Sequence, residues 1–265
     1  MISFFRKIRQ QLLSQNRITR YLIYAIGEII LVVIGILLAL QINTWNQNRQ
    51  DRKQEQQLLA QLEMEYNKNL EQLNSKIYIR KEMIKSCLKL LSYRKLESTI
   101  VDVDSLNFHL SRMTTRPTFN PVLGVTNELS NSGKLYLIKN AELRKELTSF
   151  ESFLGDLSEE EMVIFNLTEN ILQPFLIQHY QMGGVITQFL QDEDFMAIYS
   201  LGDTNKEIPL KELFQPADFK PYLYHPDLED HIAIMISNTV YTNQQSEGVK
   251  EKIELILSLI KSETK

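Results

Sequence analysis

Residues 21–42, YLIYAIGEIILVVIGILLALQI, constrain everything that follows them in this 265-residue chain. Only residues 29–40 are free of polar side chains, and that run alone would also suit a buried helix or the core of a signal peptide. The flanks decide. A helix rises about 1.5 Å per residue, so roughly 20 residues cross a hydrocarbon layer of about 30 Å. That length runs from Tyr24 to Trp45, and with Tyr21 these aromatics stand where interfacial anchors belong. A cleaved signal peptide calls for a short basic leader and small residues at the cleavage point. Here the leader has twenty residues and the exit reads LALQIN. Residues 21–42 are therefore read as a transmembrane helix.

Lys and Arg are retained on the cytoplasmic side of a span. Arg6, Lys7, Arg9, Arg17 and Arg20 precede it, against Arg49, Arg52 and Lys53 just after it. The first 45 residues hold five bases and one acid, and the remaining 220 hold 24 bases and 32 acids. An acidic C-terminal part beyond the membrane fits this balance, with the N-terminus in the cytoplasm. It also argues against nucleic acid, which needs a clustered basic face. Cys87 is the sole cysteine, so no internal disulfide can form, and a helical domain of about 200 residues does not need one.

Residues 1–20 set Ile2, Phe4, Phe5, Ile8, Leu12 and Leu13 among the bases. The spacing puts an apolar stripe beside a basic one on a helix lying along an anionic leaflet. A basic leader that only sets topology, or an Arg-rich targeting segment, accounts for the same residues. Within the span, Gly27, Gly35 and Ala39 fall near one helix face and permit close approach of a second helix. Glu28 beside them is a carboxylate near the cytoplasmic boundary. It reads equally as a hydrated boundary residue and as a group paired with a partner.

Beyond Trp45, the positions Leu58, Leu62, Tyr66, Leu70, Leu73, Ile77, Ile84, Leu88 and Leu91 recur at steps of three, four and seven with no Gly or Pro. Residues 46–92 thus predict one amphipathic helix about 70 Å long, its narrow stripe suited to a bundle or coiled coil. A break at residues 98–104 precedes a short helix capped by Asp104. A helix over residues 122–132 should stop at Gly133, and the next should start from an Asn140 cap. Its seam is Leu143, Leu147, Phe150, Leu154 and Leu157. Gly155, with the capping-box pattern of Ser158 and Glu161, predicts a break or kink before Met162, and Pro174 a bend. Residues 202–226 carry four prolines and read as a loop with a short helix near residues 210–214. A last long helix begins at Asp227, with an interruption expected at residues 242–248.

Searches for chemistry come up empty: there is no GxSxG, HExxH, P-loop, GxGxxG or CxxC. No histidine carries a Glu three residues before it, as a dimetal bundle would require. His225, Asp227 and His231 are the only acid and histidine cluster, and a solvated helix start explains them as well as a metal does. No catalytic residue, cofactor or metal is assigned, and no enzymatic activity is expected.

The stretches FFRKIRQ, YAIGEI, LVVIGILLALQIN, ELSNSGKL and IKNAELRKEL resemble an uncharacterised family of single-span membrane proteins from flavobacteria and related bacteria, domain of unknown function family 6090. The resemblance is most specific over residues 24–45. It implies a bacterial inner-membrane protein and lends no activity or cofactor.

The expected architecture is all-α. It comprises a basic amphipathic leader at residues 1–20, a transmembrane helix at residues 21–42 and an extracytoplasmic helical bundle at residues 43–265. The expected role is a membrane-anchored interaction or assembly module, partnered by the membrane and by another membrane protein or a second copy of itself. The alternative is an extracytoplasmic ligand-binding sensor that signals through a partner. A convergent polar pocket would favour the sensor and an exposed apolar face the interaction module.

Overall fold

A computed structural model describes residues 18–199 and 214–264, and among them every regular element is helical. The basic residues Arg6, Lys7, Arg9 and Arg17, the side chains of Arg20 and Tyr21, and most of the helix predicted near residues 210–214 lie outside the described residues. The chain divides into two compact units, one ending at Gln57 and the other beginning at Leu58.

Helix α1 spans Ile18–Tyr93. In the first unit its apolar stretch is long enough to cross a membrane, and none of that stretch is buried. In the second unit it is the spine of the bundle. Leu62, Tyr66, Leu73 and Ile77 are buried as the stripe predicts, joined by Leu59. Past Ile77 the stripe departs from expectation: Leu88 is exposed, and Ile79, Met83, Cys87 and Leu90 are buried instead. A helix of 3.6 residues per turn drifts against a strict seven-residue repeat. The real seam also passes through Arg80, which an apolar pattern skips.

Helix α2 (Val103–Met113) is capped by Asp102, whose carboxylate accepts the Ser105 N–H. The predicted cap, Asp104, lies inside the first turn. Helix α3 (Gly124–Asn131) has no cap from its own flank. The carboxylate of Glu65 on α1 accepts from the Val125 and Thr126 N–H groups at 2.6 and 3.1 Å, and from the Thr126 hydroxyl at 2.6 Å. Gly133, at φ +70°, turns the chain in a left-handed conformation that favours glycine.

Helix α4 (Ala141–Leu167) starts at the predicted Asn140 cap, which accepts the Leu143 N–H at 3.0 Å. It runs through Gly155 and Ser158 without the expected break, because Leu157 and Glu161 are both buried and hold the helix down on either side. A π-helical turn, Thr168–Leu172, follows. Pro174 has no N–H to give and its ring crowds the preceding turn, which the wider turn relieves. Helix α5 (Gln173–His179), α6 (Gly183–Gln191), α7 (Glu193–Tyr199) and α8 (Lys220–Leu223) complete one end.

The last helix, α9 (Asp227–Glu263), is uninterrupted. The hydroxyls of Thr239, Thr242 and Ser246 donate to carbonyls four residues back, so these three side chains are satisfied within the helix. Helices α4 and α9 lie antiparallel. Asn140 meets Glu263, Lys252 pairs with Glu146, and the Thr242 hydroxyl donates to the Glu160 carbonyl.

The apolar core of the bundle forms two clusters. One gathers Leu62, Tyr66, Ile77, Phe150, Leu157, Val249 and Ile253. The other gathers Met83, Cys87, Leu106, Ile164, Leu172, Ile232 and Met235. Between them α1 places Arg80, α4 places Glu161, and α9 places Thr239, Thr242 and Ser246, all buried.

Candidate functional site

A fully buried arginine is costly unless its charge and its donors are matched. Arg80 is 0 % exposed. Its guanidinium pairs with the Glu161 carboxylate, donates to Ser246 Oγ at 2.7 Å and donates to the Pro117 carbonyl at 3.1 Å. Glu161 also accepts the Phe119 N–H on both oxygens at 3.0 Å, so one ion pair fixes α1, α4, α9 and the loop before α3. Burial raises the Glu161 carboxyl above its usual range and lowers Arg80, while their mutual attraction opposes both shifts. Arg80 Nε has no hydrogen-bond partner among the described residues, so the layer is not fully satisfied.

A second buried cation ties the far end together. Arg112 holds Asp192 with two parallel bonds, of 2.6 Å from Nε and 3.0 Å from Nη2, and reaches Glu82 at 3.1 Å. Its central carbon, Cζ, lies over the Phe108 and Phe195 rings, at 4.3 and 4.4 Å from their centroids. Both arrangements pair their charges within the bundle. Cys87 is equally unavailable: burial pushes its thiol up to about 12.

The histidines do not converge on a metal. The Asp227 N–H donates to His225 Nδ1 at 3.2 Å, and the Asp227 carboxylate stands 3.8 Å from that nitrogen. His231 instead packs on Phe175, with ring centroids 4.8 Å apart, alongside His179 and His225. Among the described residues no three His, Cys, Asp or Glu side chains are grouped to hold a metal ion.

On the apolar part of α1, a Cβ added at Gly27 or Gly35 would meet nothing within 4 Å. Helical geometry sets Glu28, Gly35 and Ala39 within an arc of about 40°, with Gly27 farther round on the same side. Tyr24 and Trp45 are exposed near the two ends of the apolar stretch, and Arg49 lies 5.9 Å from the Trp45 ring centre.

A surface depression of about 520 Å³, open to solvent, is lined by Asn67, Leu70, Glu71, Asn74, Ser75, Tyr78 and Ile198. Small-molecule sites enclose most of their ligand, and this one does not.

Arg80 and Glu161 escaped the pattern of the sequence because each was read locally, one as a gap in a stripe and the other as part of a cap. A charged residue at a seam position, three residues past Ile77, and an acid four past Leu157 were the available signals.

Fold and site together define an all-α chain with, among the described residues, one apolar helix of membrane-spanning length, and a helical bundle pinned by buried ion pairs. Residues 28–157 match the model of DUF6090, a family of unknown function and the one the sequence motifs resemble. The match runs from Glu28 through the first part of α4 and stops before Glu161. No curated protein and no solved structure matches the chain.

Proposed function

We propose that the chain is a membrane-tethered interaction or assembly module of a bacterial inner membrane. In this reading its N-terminus is cytoplasmic, its bundle lies beyond the membrane, and it has no catalytic activity of its own. The supporting observation is the apolar stretch of α1, whose large side chains, Leu22 through Ile42, stand exposed on every face. Each such side chain left in water forgoes about 1.5–3 kcal/mol, a penalty that lipid removes. The bundle complements this. Its buried charges are spent on one another, which is how a rigid surface is built rather than a reactive centre.

The sensor reading draws on the groove beside Tyr78, and the open shape of that groove speaks against it. A reporter fused after Lys265 should be active only outside the cytoplasm, as the basic leader and single span require. A reporter active in the cytoplasm would overturn both the topology and the role.

Glu28 and Gly35 give a second test. Glu28→Leu and Gly35→Leu should both insert, since each makes the span more apolar. Both should lower crosslinking to a second copy or to a membrane partner, by severalfold. The first removes a costly intramembrane charge and the second blocks close helix approach. Parental crosslinking in both variants would make the span an anchor alone.

A further inference from the structure

Three of the chain's four histidines meet at one phenylalanine. His179 stands four residues after Phe175 on α5, His225 lies between α8 and α9, and His231 is in the second turn of α9. Their ring centroids are 4.7, 5.0 and 4.8 Å from that of Phe175, and the rings of His179 and His225 are 4.5 Å from each other. All four side chains are half-buried. Phe175 packs on the buried cluster that holds Leu176, Tyr222, Leu223 and Leu228.

We propose that these histidines form an acid-sensitive latch. With neutral imidazoles it holds α5 and α8 closed over the core, and protonation releases them. The inference goes beyond the role proposed above and does not depend on it. Imidazole is the side chain whose charge ordinarily changes between about pH 5 and 8. As neutral rings the three histidines pack on Phe175 as aromatic neighbours. As imidazoliums, His179 and His225 place like charges on rings 4.5 Å apart, in a half-buried corner where water screens them less than in bulk.

The surrounding ions favour opening. From α1, Arg94 donates to the carbonyls of Leu223 and His225 at 2.6 and 2.8 Å, and its side chain is 16 % exposed. The first turn of α9 brings Asp227, 3.8 Å from His225 Nδ1, Glu229, 3.9 Å from Arg94, and Asp230, all three exposed. From α8 come Lys220, also exposed, and Tyr222, whose hydroxyl burial keeps neutral, as it does the Cys87 thiol of α1. Helices α5 and α6 carry no Asp, Glu, Lys or Arg. The acids at this corner are therefore screened by water, whereas its poorly hydrated ion is already a cation. Acid adds positive charge beside it.

The two elements are also able to leave. Helix α5 has seven residues and α8 has four, too few to persist without their packing. Opening uncovers Leu176 and Tyr222, so an acid medium creates apolar surface that a neutral one hides.

Hydrogen–deuterium exchange of the full-length chain in mild detergent, read by mass spectrometry, provides the test. After correction for intrinsic rates, the amides of residues 175–180 and 219–225 should exchange at least tenfold faster at pH 5.0 than at pH 7.5. That increase should exceed the increase over residues 143–160 at least fivefold. His109→Gln should keep the difference, and His179→Gln combined with His225→Gln should reduce it below twofold. Charge is tested separately at pH 7.5: His179→Gln should exchange within threefold of the parent over these residues, and His179→Lys at least tenfold faster.

Equal protection at the two pH values would overturn the latch. Greater protection at pH 5.0 would do the same, because attraction of imidazolium to the Phe175 ring would then outweigh repulsion. Full acid sensitivity in the double Gln variant would put the titrating group elsewhere and overturn the assignment. A His179→Gln chain already open at pH 7.5, or a His179→Lys chain as protected as the parent, would show that charge is not what works this corner.

Discussion

Glu161→Leu should destabilise the bundle by about 3–5 kcal/mol, the largest loss expected from any single change in this chain. The substitution removes the carboxylate paired with Arg80, a side chain with no exposed surface. It also takes the acceptor from the Phe119 N–H. Arg80→Met should cost nearly as much, because it leaves the Glu161 charge buried without its cation. The informative case is the pair. Arg80→Met with Glu161→Leu joins the two apolar clusters into one core, and should recover at least half of the single-variant loss. Of the remainder, about 1–2 kcal/mol comes from the orphaned Phe119 N–H. Chemical unfolding of the three variants in mild detergent measures this. Additive losses in the double variant would show that the two side chains act independently and that the layer is not a unit.

Acid should weaken the bundle through His109. Its ring is half-buried against Tyr93 and Phe108, with Nδ1 3.2 Å from Ser86 Oγ. Burial first, and then the positive charges of Lys89 and Arg112, lower its pKa to about 4. An unfolded histidine titrates near 6.5, so between about pH 6.5 and 4 the unfolded chain holds a proton that the folded chain refuses. The stability contributed by neutral His109 is therefore complete above about pH 6.5 and falls away as the pH drops towards 4. Its size is on the order of 1–3 kcal/mol, allowing for solvent at a half-buried ring. Glu161 works in the opposite sense, since a raised carboxyl takes up its proton more readily in the folded state. The contribution of His109 is thus isolated as the difference between the parent and His109→Gln. The variant should lose less stability than the parent from pH 7 to pH 4. Parallel pH profiles would show that the ring is not buried as described.

These two sites also mark where the sequence was readable and where it was not. The apolar stretch of α1, the Asn140 cap, the stop at Gly133 and the start of the last helix were visible because each is decided by residues adjacent in the chain. The cap of α3 was not, because its carboxylate, Glu65, comes from a helix some sixty residues earlier. Glu161 was misread for the same reason. Its spacing from Ser158 imitates a helix start, and only the distant Arg80 explains why the helix continues through it. The expected interruption in α9 failed differently. Thr, Asn, Ser and Gly within a few residues look unhelical, but hydroxyls that bond back to their own helix and a buried seam on one side outweigh that preference.

The ion-paired layer has a consequence for how the protein is made. Arg80 and Ser246 are 166 residues apart in the chain, and the seam of α1 closes only when α9 packs beside α4. A chain emerging from its N-terminus delivers α1 first, with its apolar stripe and an unmatched guanidinium, and delivers the helix that completes the layer last. The loop-closure entropy of such distant contacts falls due before they reward the chain, which makes assembly slow. Throughout synthesis, the nascent chain offers other surfaces the very stripe it will later bury. Its period of greatest exposure to wrong partners thus lies between the emergence of its first helix and that of its last.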